Sequence, residues 1–173
     1  MYRNTIFIGG IHGVGKGAIC SEIKKEIDLE HLSASDVLKW SEVSPDPTNK
    51  FVKDIPDTQQ RLITGLQRLI HPTQMYILDG HFCLFDWNGK VNPVPVETFI
   101  QISPILLSVV VCDAAIVAER LHARDNKKYD TLIIEKMQKI ELEHAQLVAG
   151  KLNVDLIEVE SNPTELINKI NSL

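Results

Sequence analysis

Positions 10 to 18 read Gly10-Ile11-His12-Gly13-Val14-Gly15-Lys16-Gly17-Ala18. Four glycines and one lysine at these spacings suit the holding of a polyphosphate. Such a tail needs many hydrogen-bond donors and no bulky side chains in their way. Glycine lets successive backbone N–H groups turn inward as a nest. A helix that starts at the loop adds the positive end of its dipole. Lys16 then supplies a mobile point charge for the terminal phosphates. Gly10, His12, Gly13, Val14, Gly15, Lys16, Gly17 and Ala18 are the candidate phosphate-binding residues. Ile11 and Val14 also read as packing residues, and His12 either touches a phosphate or stands in solvent. The plain alternative is a glycine-rich turn that binds nothing.

A carboxylate completes the chemistry. Asp79 closes the apolar run 75–78 and precedes Gly80. Mg²⁺ keeps several of its waters and often takes only one or two protein carboxylates. Asp79 is therefore the expected Mg²⁺ residue, acting through water, unless it only begins a turn with Gly80.

The elements that position these groups follow from hydrophobic pattern. Ile6-Phe7-Ile8 before the glycines reads as a buried parallel strand over 5–9. Ile19, Ile23 and Ile27, four apart, put one face of a helix after the loop, to about position 28. Segment 29–33 fits a second strand, and 35–40 a short helix capped at Ser35 or nearby. Segment 44–49, with two prolines, is a loop. A helix from about 57 carries Leu62, Leu66 and Leu69 and stops near His71, before Pro72. Asn88-Gly89 signals a hairpin, and Pro93 and Pro95 suit an edge or loop. The run 105–112 is an interior parallel strand, and Asp113 can cap a helix over 114–123. After a polar break at 124–130, Ile133, Met137, Ile140, His144 and Leu147 form one stripe of a helix, His144 as a packed residue. A strand at 154–159 follows. Asn162-Pro163-Thr164-Glu165 then starts a last helix with a cap, a first-turn proline and a glutamate. Strand and helix alternate throughout, which implies a doubly wound sheet with ligands at the carboxyl ends of its strands. Lys16 and Asp79 both fall just past such ends.

Composition sets the class. The 173 residues fit one domain with a real core, and 44% hydrophobic content is ordinary for a globular chain. Eighteen basic against 23 acidic residues leave a formal charge of −5, which argues against a nucleic-acid module. No signal peptide and no bilayer-spanning run is visible, so no membrane partner and a cytoplasmic location are expected. Cys20, Cys83 and Cys112 are widely spaced and show no metal or redox pattern. Cys20 and Cys112 read as small core residues in a reduced compartment.

The loop has the spacing of a P-loop, except that Gly17 stands where Ser or Thr usually follows the lysine. With three further segments the chain resembles the adenylate kinase group of nucleoside monophosphate kinases. Gly15-Lys16-Gly17 is similar to their Gly-Lys-Gly, although Ala18 replaces the threonine of bacterial forms. Leu32-Ser33-Ala34-Ser35-Asp36-Val37-Leu38-Lys39 resembles their monophosphate segment, with Lys39 where an arginine holds the monophosphate. Leu78-Asp79-Gly80-His81 resembles the third-strand end of archaeal forms. Glu119-Arg120-Leu121 with Arg124-Asp125 looks like the helix entering a short lid. The resemblance implies a P-loop NTPase three-layer α/β/α sandwich with a mainly parallel sheet of about five strands. It implies a monophosphate-binding region at about 35–72 and a lid at about 124–131 within one domain. It implies transfer of the ATP γ-phosphoryl to a nucleoside monophosphate, usually AMP, with Mg²⁺. Lys16, Asp79, Arg120 and Arg124 would then be catalytic, and Asp36, Lys39 and His81 would touch the acceptor.

The chain also departs from that pattern. It has only five arginines, Arg3, Arg61, Arg68, Arg120 and Arg124, and Tyr129 and Leu142 stand where archaeal relatives carry arginine. Lys127 and Lys128 can replace charge but not the bidentate fork. Two other readings stay open: a nucleotide-binding regulatory protein with little turnover, and a kinase of a small non-nucleotide metabolite. A GTPase is disfavoured, because Asn126-Lys127 lacks the aspartate that would read guanine. Arg61 and Arg68 fit a solvated helix face, and Trp40 and Trp87 fit packing as readily as stacking.

Overall fold

Five residues in a row are buried in β1 (Thr5–Gly9), as expected of a strand covered on both faces. The computed structural model describes residues 3–38, 51–52, 55–86 and 90–173. Lys39, Trp40, the loop 44–49, Trp87 and Asn88-Gly89 lie outside the described residues. β1 leads through the glycine loop into α1 (Lys16–Glu26), then β2 (Glu30–Ser33) and the single turn α2 (Ala34–Val37). Next come β3 (Phe51–Val52), α3 (Ile55–Leu69), β4 (Tyr76–Asp79), β5 (Cys83–Asp86) and β6 (Val91–Pro93). The chain continues with α4 (Val96–Ile102), β7 (Leu106–Val110), α5 (Ala114–Asp125) and α6 (Thr131–Leu152). It ends with β8 (Leu156–Val159) and α7 (Thr164–Asn171).

The main sheet has the order β2-β4-β1-β7-β8 and is parallel throughout. Alternation assigns its side chains to two cores. Ile6, Ile8, Ile77, Leu106 and Val110 pack with α1, α5 and α7 on one face. Phe7, Leu78, Leu107 and Val109 pack with α3, α4 and α6 on the other. This is the expected three-layer sandwich. Register matters most at one rung. Ile8 pairs with Asp79, so the strand preceding the glycine loop and the strand carrying the carboxylate end side by side.

A second sheet has the order β3-β5-β6. β5 and β6 run antiparallel across positions 87–89. α5 ends at Asn126 in the left-handed conformation, and α6 starts with Asp130 accepting from the Leu132 N–H. Only a short connection, 126–130, separates them. Asp113 caps α5 through the N–H groups of Ala115 and Ile116, as its position implied.

Two helical stripes differ from expectation. On α3, Leu62 and Leu66 are buried, but Leu69 is 46% exposed, and Ile63 and Ile70 take the inner positions. On α6 the buried line is Ile134, Glu141, Ala145 and Val148, whereas Ile133 and Leu147 face solvent. α6 carries apolar residues on several faces, so periodicity alone allows stripes one residue apart. The sheet it packs against chooses between them. Among the described residues, no helix is long and apolar enough to cross a membrane.

Candidate active site

The loop's first glycine is fixed by sterics. Gly10 has φ +142°, and a Cβ there would sit 2.6 Å from the Val110 carbonyl oxygen. Gly17 is different: it has no positive φ, and a Cβ would meet nothing within 4 Å. The missing hydroxyl at this position is therefore not a steric requirement of the fold.

Lys16 curls back over the loop. Its Nζ donates to the carbonyls of Gly10 (2.7 Å) and Ile11 (3.2 Å). Burial lowers its pKa, and the carboxylates of Glu141 and Asp79 oppose that shift. Arg120, from α5, donates through Nη1 to the carbonyls of Gly13 (3.1 Å) and Val14 (3.0 Å). It thus stays at the loop without a phosphate. Arg124 forks onto its neighbour Asp125, with Nε and Nη2 at 2.6 and 2.7 Å. Tyr129 donates to the same carboxylate at 2.5 Å. These bonds from Arg124 and Tyr129 hold the Asp125 carboxyl well below the usual carboxylate range.

Asp79 is held at its rung by His31 of β2, with Nε2 and Oδ2 2.5 Å apart. Its outward side belongs to a cleft of about 370 Å³ that it shares with Lys16, Gly13, Gly15 and Gly17. His12, Arg120, Leu121 and Arg124 complete the walls of this cleft. Gly10 and Val14 are buried beneath the loop, and Ala18 is exposed beyond the cleft.

A second cavity opens between α2, α3 and α4. Phe7, Leu62, Phe99 and Ile102 form its apolar floor. Phe7 and Phe99 meet edge to face, 5.2 Å between ring centres. Ser35, Thr58, Gln59 and Thr98 bring polar groups to its walls. No Asp, Glu, Lys or Arg lines it among the described residues; its ionisable groups are His12 and His81, whose rings lie 4.2 Å apart. His12 is the residue common to this cavity and the phosphate cleft. Of the residues expected at an acceptor, His81 lines this cavity. Asp36 is exposed on α2 and absent from the lining, where its neighbours Ser35 and Leu38 stand instead. Lys39 lies outside the described residues.

Sequence reasoning missed Glu141. It is 1% exposed and accepts three backbone N–H groups: Gly10 (3.1 Å) and Phe82 (2.7 Å) on Oε1, Cys83 (2.8 Å) on Oε2. Burial raises its pKa, while those donors and the Lys16 charge oppose the rise. One carboxylate therefore ties the phosphate loop to the chain after β4 and to α6. Its only signal was an acidic residue one position beside an apolar stripe. Thr58, Gln59 and Thr98 gave no signal, because an amphipathic helix carries such residues anywhere on its polar side.

Comparison with known proteins agrees with this geometry. The AAA domain family matches residues 9–138. An adenylate kinase from Mycoplasma mobile is 32% identical over 90 residues, which cover 47% of this chain and 41% of that enzyme. The match thus spans about two-fifths of that relative's length. Among solved structures, a gluconokinase from Sinorhizobium meliloti superposes with a TM-score of 0.52 at 12% identity, over 96% of this chain and 89% of that one. An uncharacterised protein from Eubacterium ventriosum superposes with a TM-score of 0.50 at 12% identity, over 98% and 97%. At these identities the superpositions speak for the fold.

Proposed function

The chain belongs to the AAA domain family, and from that premise we propose that it is an ATP-dependent phosphotransferase whose acceptor is a nucleoside monophosphate, AMP foremost. The observation that carries this reading is the junction at His12. The cleft that holds the glycine loop and Lys16 and the apolar cavity over Phe7 and Phe99 share that residue.

In this reading the loop N–H groups and Lys16 take the β- and γ-phosphates of ATP. Mg²⁺ would supply neutralisation of the charge on those phosphates. The residues present fit a hydrated ion. His31 engages Oδ2 of Asp79, so the other carboxylate oxygen is the one to meet the ion's waters. The acceptor's base enters the cavity over Phe7 and Phe99, with Thr58, Gln59 and Thr98 to read its polar edge. Its phosphate then points to His12 and the phosphate cleft. No base is required, since a phosphate monoester with a second pKa near ~6 is already a nucleophile at neutral pH. Arg120 and Arg124 turn from their internal partners to the transferring group.

The second reading is a nucleotide-binding regulatory protein. It is favoured by one observation: both arginines at the cleft are engaged within the protein, Arg120 by loop carbonyls and Arg124 by Asp125. Incubation with γ-labelled ATP, Mg²⁺ and a panel of monophosphates, nucleosides and sugar acids separates the readings. Label on a monophosphate supports the proposal. Label on a sugar acid points to a metabolite kinase. Bound ATP with no transfer leaves the regulatory reading.

A further inference from the structure

Cys20, His31 and Asp79 come from three elements, α1, β2 and β4, and converge beneath the phosphate loop. One ligand atom of each, thiol sulfur, imidazole nitrogen and carboxylate oxygen, lies within 4.8 Å of the other two. In sequence they are far apart and match no ligand spacing. The parallel register brings them together: Ser33 pairs with Asp79, and His31 lies two residues back on the same strand. Cys20 is fully buried, whereas His31 and Asp79 are partly exposed. The cluster therefore has a closed floor, and Asp79 opens it to the phosphate cleft.

We propose that Cys20, His31 and Asp79 form a binding site for a thiophilic divalent ion such as Zn²⁺, with its fourth position facing the phosphate cleft. A thiolate and an imidazole select zinc-like ions over Mg²⁺, which prefers oxygen ligands. In a tetrahedral zinc centre the ligand atoms lie on the order of 3.5 Å apart, given bonds of about 2.0–2.3 Å. The cluster meets that spacing when the His31–Asp79 contact opens and the sulfur swings inward. On binding, the Cys20 S–H proton leaves to solvent and an S–metal bond forms. His31 gives a ring-nitrogen lone pair and keeps its proton on the other nitrogen. Thiolate and carboxylate then balance the two positive charges. A water or a phosphate oxygen takes the fourth position.

A regulatory consequence rests on the reading of Asp79 given above. A carboxylate bound to zinc cannot also orient the waters of Mg²⁺, so the thiophilic ion and Mg²⁺·ATP exclude each other. Metal binding itself does not depend on that reading.

Cadmium titration of the full chain, without nucleotide, is the test. Cd²⁺ on a thiolate gives a charge-transfer absorption in the ultraviolet. The expected result is one such ion per chain, abolished by Cys20→Ala and weakened about tenfold or more by His31→Gln. Cys83→Ser and Cys112→Ser should leave it intact. Thermal melts verify that each variant folds, and Cys20→Ser replaces Cys20→Ala should the alanine protein not. Absence of the band in the native protein, or its persistence after loss of Cys20, overturns the site. Repetition with saturating Mg²⁺·ATP tests the exclusion alone: an undiminished band overturns the competition and leaves the metal site standing.

Discussion

Lys16 and Glu141 sit on either side of the same loop backbone and do opposite jobs. Lys16 donates to carbonyls that water or a phosphate can replace, on the wall of an open cleft. Lys16→Ala should therefore abolish ATP binding, read by calorimetry, while the ligand-free melting temperature stays within the small range of surface changes. The lysine's lowered pKa gives a pH signature. The protonated form binds phosphate, so ATP affinity should weaken as pH rises, with an onset below the ordinary lysine range. An unchanged affinity up to that range would contradict the lowered pKa. Glu141 accepts three backbone N–H groups while almost fully buried. Glu141→Gln turns an amide NH₂ toward one of them and leaves it unsatisfied. Stability should fall by about 1–3 kcal/mol, measured by urea unfolding. Lys16 was legible because a P-loop is a contiguous motif. Glu141 was not, because its three partners come from two distant segments and only the fold assembles them.

At the scale of elements, the glycine loop divides into positions the backbone requires and one it does not. Gly10→Ala places a methyl group against the Val110 carbonyl at a φ that suits glycine. A loss of more than about 2 kcal/mol is expected, with the melting temperature as readout. Gly17→Ser meets open space on the first turn of α1. It should fold normally and gain a few tenths of a kcal/mol in the helix. It should also bind Mg²⁺·ATP more tightly, because it restores a hydroxyl ligand. Equal Mg²⁺·ATP affinities in Gly17→Ser and the native protein would show that the ion sits elsewhere. The parallel strands β1, β4 and β7 were legible as apolar runs, since burial on both faces leaves little else in them. The faces of α3 and α6 were not. α3 has one broad apolar face whose edge periodicity does not set, α6 carries apolar residues on several faces, and the position of the sheet selects which of them turn inward. The small β3-β5-β6 sheet left no strand signal in the sequence, because strands of two to four residues carry too little pattern.

The whole molecule is a sandwich with two clefts near the carboxyl ends of β1 and β4, and His12 lines both. Of the loop residues expected at a phosphate, His12, Gly13, Gly15, Lys16 and Gly17 line the phosphate cleft, whereas Gly10, Val14 and Ala18 do not. Of the residues that line the apolar cavity, the sequence singled out only His12 and His81 as functional candidates, because its floor and walls come from α2, α3 and α4 brought together across the sheet. Binding of ATP to the folded chain alone should stabilise it by about 2.7 kcal/mol at a hundredfold excess over Kd. That stabilisation tests the donor half of the site. The account as a whole stands on transfer between the two clefts. The direct measurement is phosphorus NMR of the native protein with ATP, Mg²⁺ and AMP, with Lys16→Ala in parallel. The account predicts ADP resonances growing at the expense of both ATP and AMP, and no change with the variant. ATP that binds and stabilises the protein while AMP remains unaltered, as do the other nucleoside monophosphates, would contradict it.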